Sequence, residues 1–320
     1  MARIAKEGMQ SPFEFRTDTV FDVAGFGTNA VDHLVRVSRY PEFNSKSELS
    51  AYETLPGGEV ASTLVGLQRL GFKTAYAGRF GDDDAGKIGL GSLQREGVDT
   101  QHAQTVPGAL TQVAFIIIDE QSGERTIIWK RDKKLGYTTA EAPLDLATSA
   151  KVLHMTPHDT AAAVSMARAA RAAGTIVSLD IDRRFDGVEE LLSLTDILIA
   201  SSDLLEELTG MRDKLSAMTE TAARFGSAIV GVTRGNEGSY LLCNGVFVDT
   251  RGFDVPGGCV DTTGAGDAFR AGLLCGLLRG MQVEDAARSA NAVAALKCRA
   301  TGARTALPSR DELQTMLKNA

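Results

Sequence analysis

Cys259-Val260-Asp261-Thr262-Thr263-Gly264-Ala265-Gly266-Asp267-Ala268-Phe269 is a glycine-rich turn that runs into a helix, whose apolar residues Phe269, Leu273, Leu274, Leu277 and Leu278 recur at helical spacing. A helix start leaves backbone N–H groups without acceptors, and such groups attract anions. Glycines at 264 and 266 let a phosphate approach the Gly264, Ala265 and Gly266 amides with no side chain intervening. Asp267 falls in the first turn, where the helix dipole favours its ionised form by about 0.3–1 kcal/mol, so a carboxylate is predicted at neutral pH. An alcohol attacking phosphorus must lose its proton as the new bond forms, and a carboxylate beside the anion cradle can take it. Asp267 therefore reads as a general base. The plainer alternative is that Thr262 or Thr263 caps the helix and Asp267 only complements its dipole.

Downstream, helices are predicted over 265–279, 283–298 and, capped by Ser309, 309–318. Upstream, from about residue 150, strands and helices alternate: 151–155, 161–173, 176–180, 188–194, 197–200, 203–209 and 228–233. That rhythm implies a parallel sheet covered by helices on both faces. A hairpin follows, 239–242 with 247–249, turning at Asn244-Gly245. The first half differs. Strands at 20–25 and 31–37 succeed one another with no helix between, then come a helix at 60–70, a strand at 74–78 and a helix at 85–96. Segments 112–118 and 125–130, joined by 119–124, read as a second hairpin. The early strands fit a small sheet inserted into the α/β domain, drawn from about 31–55 and 108–131, able to cover a ligand as a lid. Residues 1–19 are expected to be a flexible extension of a single domain spanning 20–320.

Composition narrows the function. With 320 residues, 43% of them hydrophobic and 23% charged, the chain has ordinary globular proportions and ample material for a core. A net charge of −7 and the lack of any long basic block argue against a nucleic-acid partner. No run approaches the length of a membrane span and no secretory signal opens the chain. Cys243, Cys259, Cys275 and Cys298 have no zinc or disulfide spacing, which fits a reducing cytoplasm.

The Asp-Thr-Thr-Gly-Ala-Gly-Asp run and its helix resemble the C-terminal signature of the ribokinase-like (PfkB) carbohydrate kinases. The N-terminal signature of that family, a Gly-Gly pair opening a helix, is similar to Pro56-Gly57-Gly58-Glu59-Val60-Ala61-Ser62, followed by Leu70-Gly71 and Gly78-Arg79-Phe80-Gly81-Asp82-Asp83. The resemblance extends from residue 20 onward. It implies a three-layer α/β/α sandwich with a mostly parallel sheet and a β-sheet lid, and an ATP- and Mg2+-dependent kinase acting on a sugar hydroxyl. It implies that Asp32, Gly57, Gly58 and Asn29 hold the sugar and that Thr233, Gly235, Asn291, Gly264 and Gly266 hold the nucleotide. Asp261, Thr263 and the loop around Gly302 match the neighbourhood in which relatives bind a monovalent cation such as K+. Two departures stand out. Ser201-Ser202-Asp203-Leu204 replaces the usual Asn-x-x-Glu, leaving Asp180, Asp182 or Asp203 as substitute Mg2+ ligands, and Ser62 replaces an asparagine.

Rival readings have their own residues. Gly25-Phe26-Gly27-Thr28-Asn29-Ala30 spells G-x-G-x-x-A, the mark of a nicotinamide-dependent oxidoreductase if a helix follows. His154 and His158 are spaced like a zinc pair, but Pro157 interrupts them. Trp129, Lys130 and Arg131 could reach a substrate from the lid or form an exposed strand face. A nucleoside kinase of the same fold and a sugar-binding protein without catalysis complete the alternatives. An exposed apolar lid face further predicts a homodimer.

Overall fold

A computed structural model describes residues 3–4, 8–121 and 125–319; of the second hairpin's connection, 122–124 lie outside the described residues, as do 1–2, 5–7 and 320. The strands in chain order are β1 Arg3–Ile4, β2 Phe21–Phe26, β3 Ala30–Val37, β4 Leu49–Gly57, β5 Thr74–Gly81, β6 Ala103–Val106, β7 Val113–Asp119, β8 Arg125–Lys130, β9 Ala150–Met155, β10 Ile176–Ile181, β11 Ile197–Ala200, β12 Ile229–Thr233, β13 Ser239–Cys243 and β14 Val246–Thr250. The helices are α1 Glu59–Arg69, α2 Asp84–Arg95, α3 Leu144–Thr148, α4 Thr160–Ala172, α5 Val188–Ser193, α6 Ser202–Thr209, α7 Lys214–Phe225, α8 Ala265–Leu278, α9 Val283–Lys297 and α10 Arg310–Lys318.

The large sheet has the order β1-β14-β13-β12-β11-β10-β9-β2-β5-β6 and is parallel except where β13 runs against β12 and β14. The inner strands β9 to β12 are almost wholly buried, as continuous apolar runs between two helix layers must be. Residues of α3 to α7 pack in one core on one face, and those of α1, α2, α8, α9 and α10 in a second core on the other. The predicted three-layer sandwich is therefore present.

The small sheet, β4-β3-β7-β8, is the expected insertion. Strands β7 and β8 alternate, so Ala114 and Ile116 with Arg125, Ile127 and Trp129, and Gln112 just before β7, face a cavity, while Phe115 and Ile128 pair on the other face. Pro56 is a strand residue opposite Val31 rather than part of a turn, tolerated because β4 is an edge.

Residues 8–19 lie against the body: Met9, Phe13 and Phe15 pack on the second core, and Arg16 donates to Thr148 O at 2.8 Å. Residues 25–30 pass from β2 directly into β3, so no helix N-terminus follows the G-x-G-x-x-A run to receive a dinucleotide pyrophosphate. Helix α7 and strand β6 were not anticipated from the sequence.

Candidate active site

The order of the large sheet reverses between β2 and β9, and ligands in such sheets bind at the carboxyl ends of the strands beside the reversal. A cavity of about 430 Å3 opens there. Its floor comprises Asp32, Gly58 and Glu59 on one side and Thr263, Gly264, Gly266, Asp267 and Arg270 on the other; His158, Asp180, Asp182 and Arg183 line the strand ends, and the small sheet roofs it. Residues separated by more than two hundred positions thus share one space.

Helix α8 starts from Gly264, whose φ of 77° and lack of room decide its identity. A methyl group there would lie 2.7 Å from Ala303 Cβ. Neither Thr262 nor Thr263 caps this helix. The Ala265 amide turns back onto Thr262 O at 3.1 Å, while Gly264 and Gly266 border the cavity. A methyl at Gly266 would meet Arg270 Nη1 at 2.8 Å, so the missing side chain lets a guanidinium stand beside the turn.

Asp267 lies in the first turn of α8, yet its ionisation differs from the sequence expectation. Burial pushes its carboxyl up to about 7; Arg270 pulls it back, and Glu59 and Asp32 push it further up. Loss of solvation outweighs the few tenths of a kcal/mol from the helix dipole. Asp32, 5% exposed, is likewise raised to about 7 by burial, against Arg304 and with Asp261 and Glu59. Two carboxyls raised by burial thus face one cavity.

Two arginines that no periodicity flagged, Arg304 buried and Arg270 nearly so, hold this arrangement. Arg270 pairs with the Asp180 carboxylate and donates to Ile199 O at 3.0 Å. Arg304, 4% exposed, donates to Ser62 Oγ and Ser92 Oγ at 3.2 Å and to Gly57 O. Ser62, where an asparagine was expected, thus serves an arginine. Gly58 has φ 92°, and a methyl there would lie 2.4 Å from Asn29 Cα. Gly57 sits so close to Asp32 that a methyl would overlap its carboxylate.

Of the other predicted residues, Asn29, Thr233, Gly235, Asn291, Asp261 and Asp203 are not among those that line the cavity. Asn29 is buried, donating to Tyr76 Oη at 2.7 Å and Arg79 O at 3.1 Å, with Oδ1 unpartnered. Thr233, the last residue of β12, and Gly235 just beyond it are both exposed. Asn291 is buried in α9 and spends its amide on Ser239 Oγ, Thr250 Oγ1 and Arg251 O. Asp261 is buried, accepting from Thr263 N at 2.8 Å and Gly302 N at 2.7 Å. Asp203 is exposed on α6. His154 is enclosed with Nδ1 against Ser178 Oγ, whereas His158 reaches the cavity between Trp129 and Phe185, and no three metal-ligating side chains converge among the described residues. Trp129 faces the cavity and stacks under Arg183, while Arg131 is bound by Asp159.

The model of the pfkB family carbohydrate kinases matches residues 26–310. A nucleoside kinase of Methanothermobacter thermautotrophicus is 27% identical over 297 residues, 91% of this chain and 94% of that protein. An ATP-dependent ribose-1-phosphate kinase of Halopiger xanaduensis is 31% identical over 289 residues, 89% and 94% respectively. The structure of Arabidopsis thaliana ribokinase complexed with ribose and ATP superposes with a TM-score of 0.79 at 25% identity, covering 93% of this chain and 99% of that one. With both glycine signatures meeting in one cavity and the match running through nearly the whole fold, the chain belongs to the pfkB family of carbohydrate kinases, phosphotransferases that act on an alcohol group.

Proposed function

We propose that this protein transfers the γ-phosphoryl group of ATP to a primary hydroxyl of a small sugar or sugar derivative. One observation carries the reading: Asp267 and the glycine turn of α8 share a cavity with Asp32 and Gly58, under a roof that can exclude water. Asp32, the Gly57–Gly58 backbone and Asn29 orient the acceptor. Asp267 takes the proton from its hydroxyl, and the N–H groups at the start of α8 stabilise charge on the moving phosphoryl group. Thr233, Gly235 and the Asn291 region bound the nucleotide side. Asp182 offers a hard oxygen ligand at the cavity edge, which suits Mg2+ held mainly by phosphates, whereas the Asp180 carboxylate is taken by Arg270. The ion would neutralise the β- and γ-phosphates. Positioning supplies most of the rate, since phosphoryl transfer asks little covalent chemistry of the protein.

A nucleoside acceptor is the second reading, favoured by Trp129, which presents 44% of its surface and could stack on a base. Acceptor-dependent ADP release, measured across ribose, fructose, acidic or sulfonated sugars, sugar phosphates and nucleosides, decides between them. Release above the ATPase background with one class confirms kinase activity; tight sugar binding with no release from any acceptor would instead leave a binding protein.

We further propose a homodimer through the small sheet. Its outer face exposes Tyr52, Phe115 and Ile128, with His33 stacked on Phe115 at 4.8 Å, an apolar patch of the kind that marks interfaces. Light scattering is expected to give twice the 33.9 kDa chain mass. A monomer at micromolar concentration contradicts it.

A further inference from the structure

A lysine stands where the sequence resemblance points to a monovalent cation. Lys297, in the last turn of α9, is fully buried, an unusual place for an ammonium unless it is paired. Its Nζ donates to the Asp261 carbonyl at 2.7 Å and lies 4.0 Å from the Asp261 carboxylate. That carboxylate is already engaged on both oxygens: Oδ1 accepts the Thr263 N–H and Oδ2 the Gly302 N–H. A bound cation needs several oxygens with lone pairs turned toward it. Here an N–H donor or an ammonium already takes one acceptor site on each of these Asp261 oxygens. Thr263 Oγ1 is buried without a partner, but one hydroxyl does not make a coordination shell.

The same contacts tie the lysine to the anion cradle. Asp261 joins the Thr263 amide to the Gly302 amide, and Ala303, the next residue, packs so tightly on Gly264 that a methyl group would not fit between them. Lys297 therefore holds Asp261, chiefly through its carbonyl, and Asp261 holds the turn that opens α8.

We propose that Lys297 is a built-in monovalent cation, a positioning residue that holds the 261–264 turn through Asp261 and makes the protein independent of added potassium. The link to turnover rests on the proposed phosphoryl transfer, whereas the link to turn geometry does not.

The test therefore has a folding arm and a kinetic arm. Exchanging potassium for sodium, caesium or tetramethylammonium at constant ionic strength is expected to leave the melting temperature and turnover of the wild-type protein unchanged. In Lys297→Ser, which vacates the pocket and leaves an oxygen there, the melting temperature is expected to fall. Turnover is expected to drop by about 10- to 100-fold, the usual cost of losing a residue that orients a charged site. Potassium or ammonium, but not tetramethylammonium, is expected to restore part of both. Potassium raising wild-type turnover or melting temperature, or a K297S defect that no cation relieves, would overturn the proposal. If K297S does not fold in any salt, the wild-type arms decide alone. If no acceptor is turned over at all, the melting data still judge Lys297 while the kinase reading fails separately.

Discussion

Asp267→Asn is expected to give a folded, ATP-binding protein whose kcat is lower by about 10²–10⁴, the usual worth of general acid–base catalysis. Asparagine keeps the shape and leaves the Asp267 backbone free to accept from Thr63 Oγ1 at 3.2 Å, but it cannot take a proton. Stability moves the other way. The Asp267 carboxyl is held near 7 in the fold against an ordinary 3.8. Between those values the native state binds more protons than the unfolded chain, so stability falls as pH rises through that window and the full penalty is present at pH 8. Asparagine removes the penalty, and the variant is expected to melt at or above the wild-type temperature at pH 8. Such a trade of stability for function is common at sites that bury a charge. Unchanged turnover would take Asp267 out of the mechanism, and a lower melting temperature at pH 8 would mean that its carboxylate is favoured by the fold.

Arg270→Met is expected to be the most destabilising single change near the site. It removes the partner of Asp180, a buried carboxyl already raised well above its ordinary range, first by burial and against the pull of Arg270. Breaking a buried pair from one side costs about 3–5 kcal/mol, because the remaining charge has no partner. The loss carries a pH signature. Without Arg270, Asp180 rises further and is neutral at low pH, so denaturant unfolding should show a large loss at pH 8 and a smaller one at pH 5. Asp180→Asn in the same background is expected to recover much of it. An equal loss at both values would assign the effect to packing alone. Arg270 also lowers Asp267, so in Arg270→Met the acidic limb of the kcat/KM profile is expected to move to higher pH.

Where local pattern and tertiary demand agree, the sequence was a sufficient guide. The alternation of 176–181, 188–193 and 197–200 between strand and helix follows from apolar period alone, as does the sheet the strands form. The positive φ of Gly264 and Gly58 is legible because only glycine accommodates it at no cost. Helix α7 escaped notice although its signals exist: Asp213 accepts from Ser216 N at 2.8 Å as an N-cap, and Met218, Thr221 and Phe225 form its buried stripe. Threonines and a glutamate diluted the apolar pattern. Strand β6 is short, lies at the sheet edge and buries none of its residues fully, so it carries almost no period. The charged residues behind the site were not legible at all. Arg304 meets Gly57 and Ser62, and Lys297 meets Asp261, only after the chain has folded across hundreds or tens of positions, and no spacing rule encodes such a pairing. The ionisation of Asp267 departs from the sequence expectation for the same reason, since helix position is local and desolvation is not.

The most direct test of the account is a structure with a non-hydrolysable ATP analogue and Mg2+. The terminal phosphate is predicted against the Gly264 and Gly266 backbone, with an open path to the Asp267 carboxylate and to the space beside Asp32. A triphosphate seated elsewhere, or a terminal phosphate screened from Asp267 by the protein's own side chains, would contradict it.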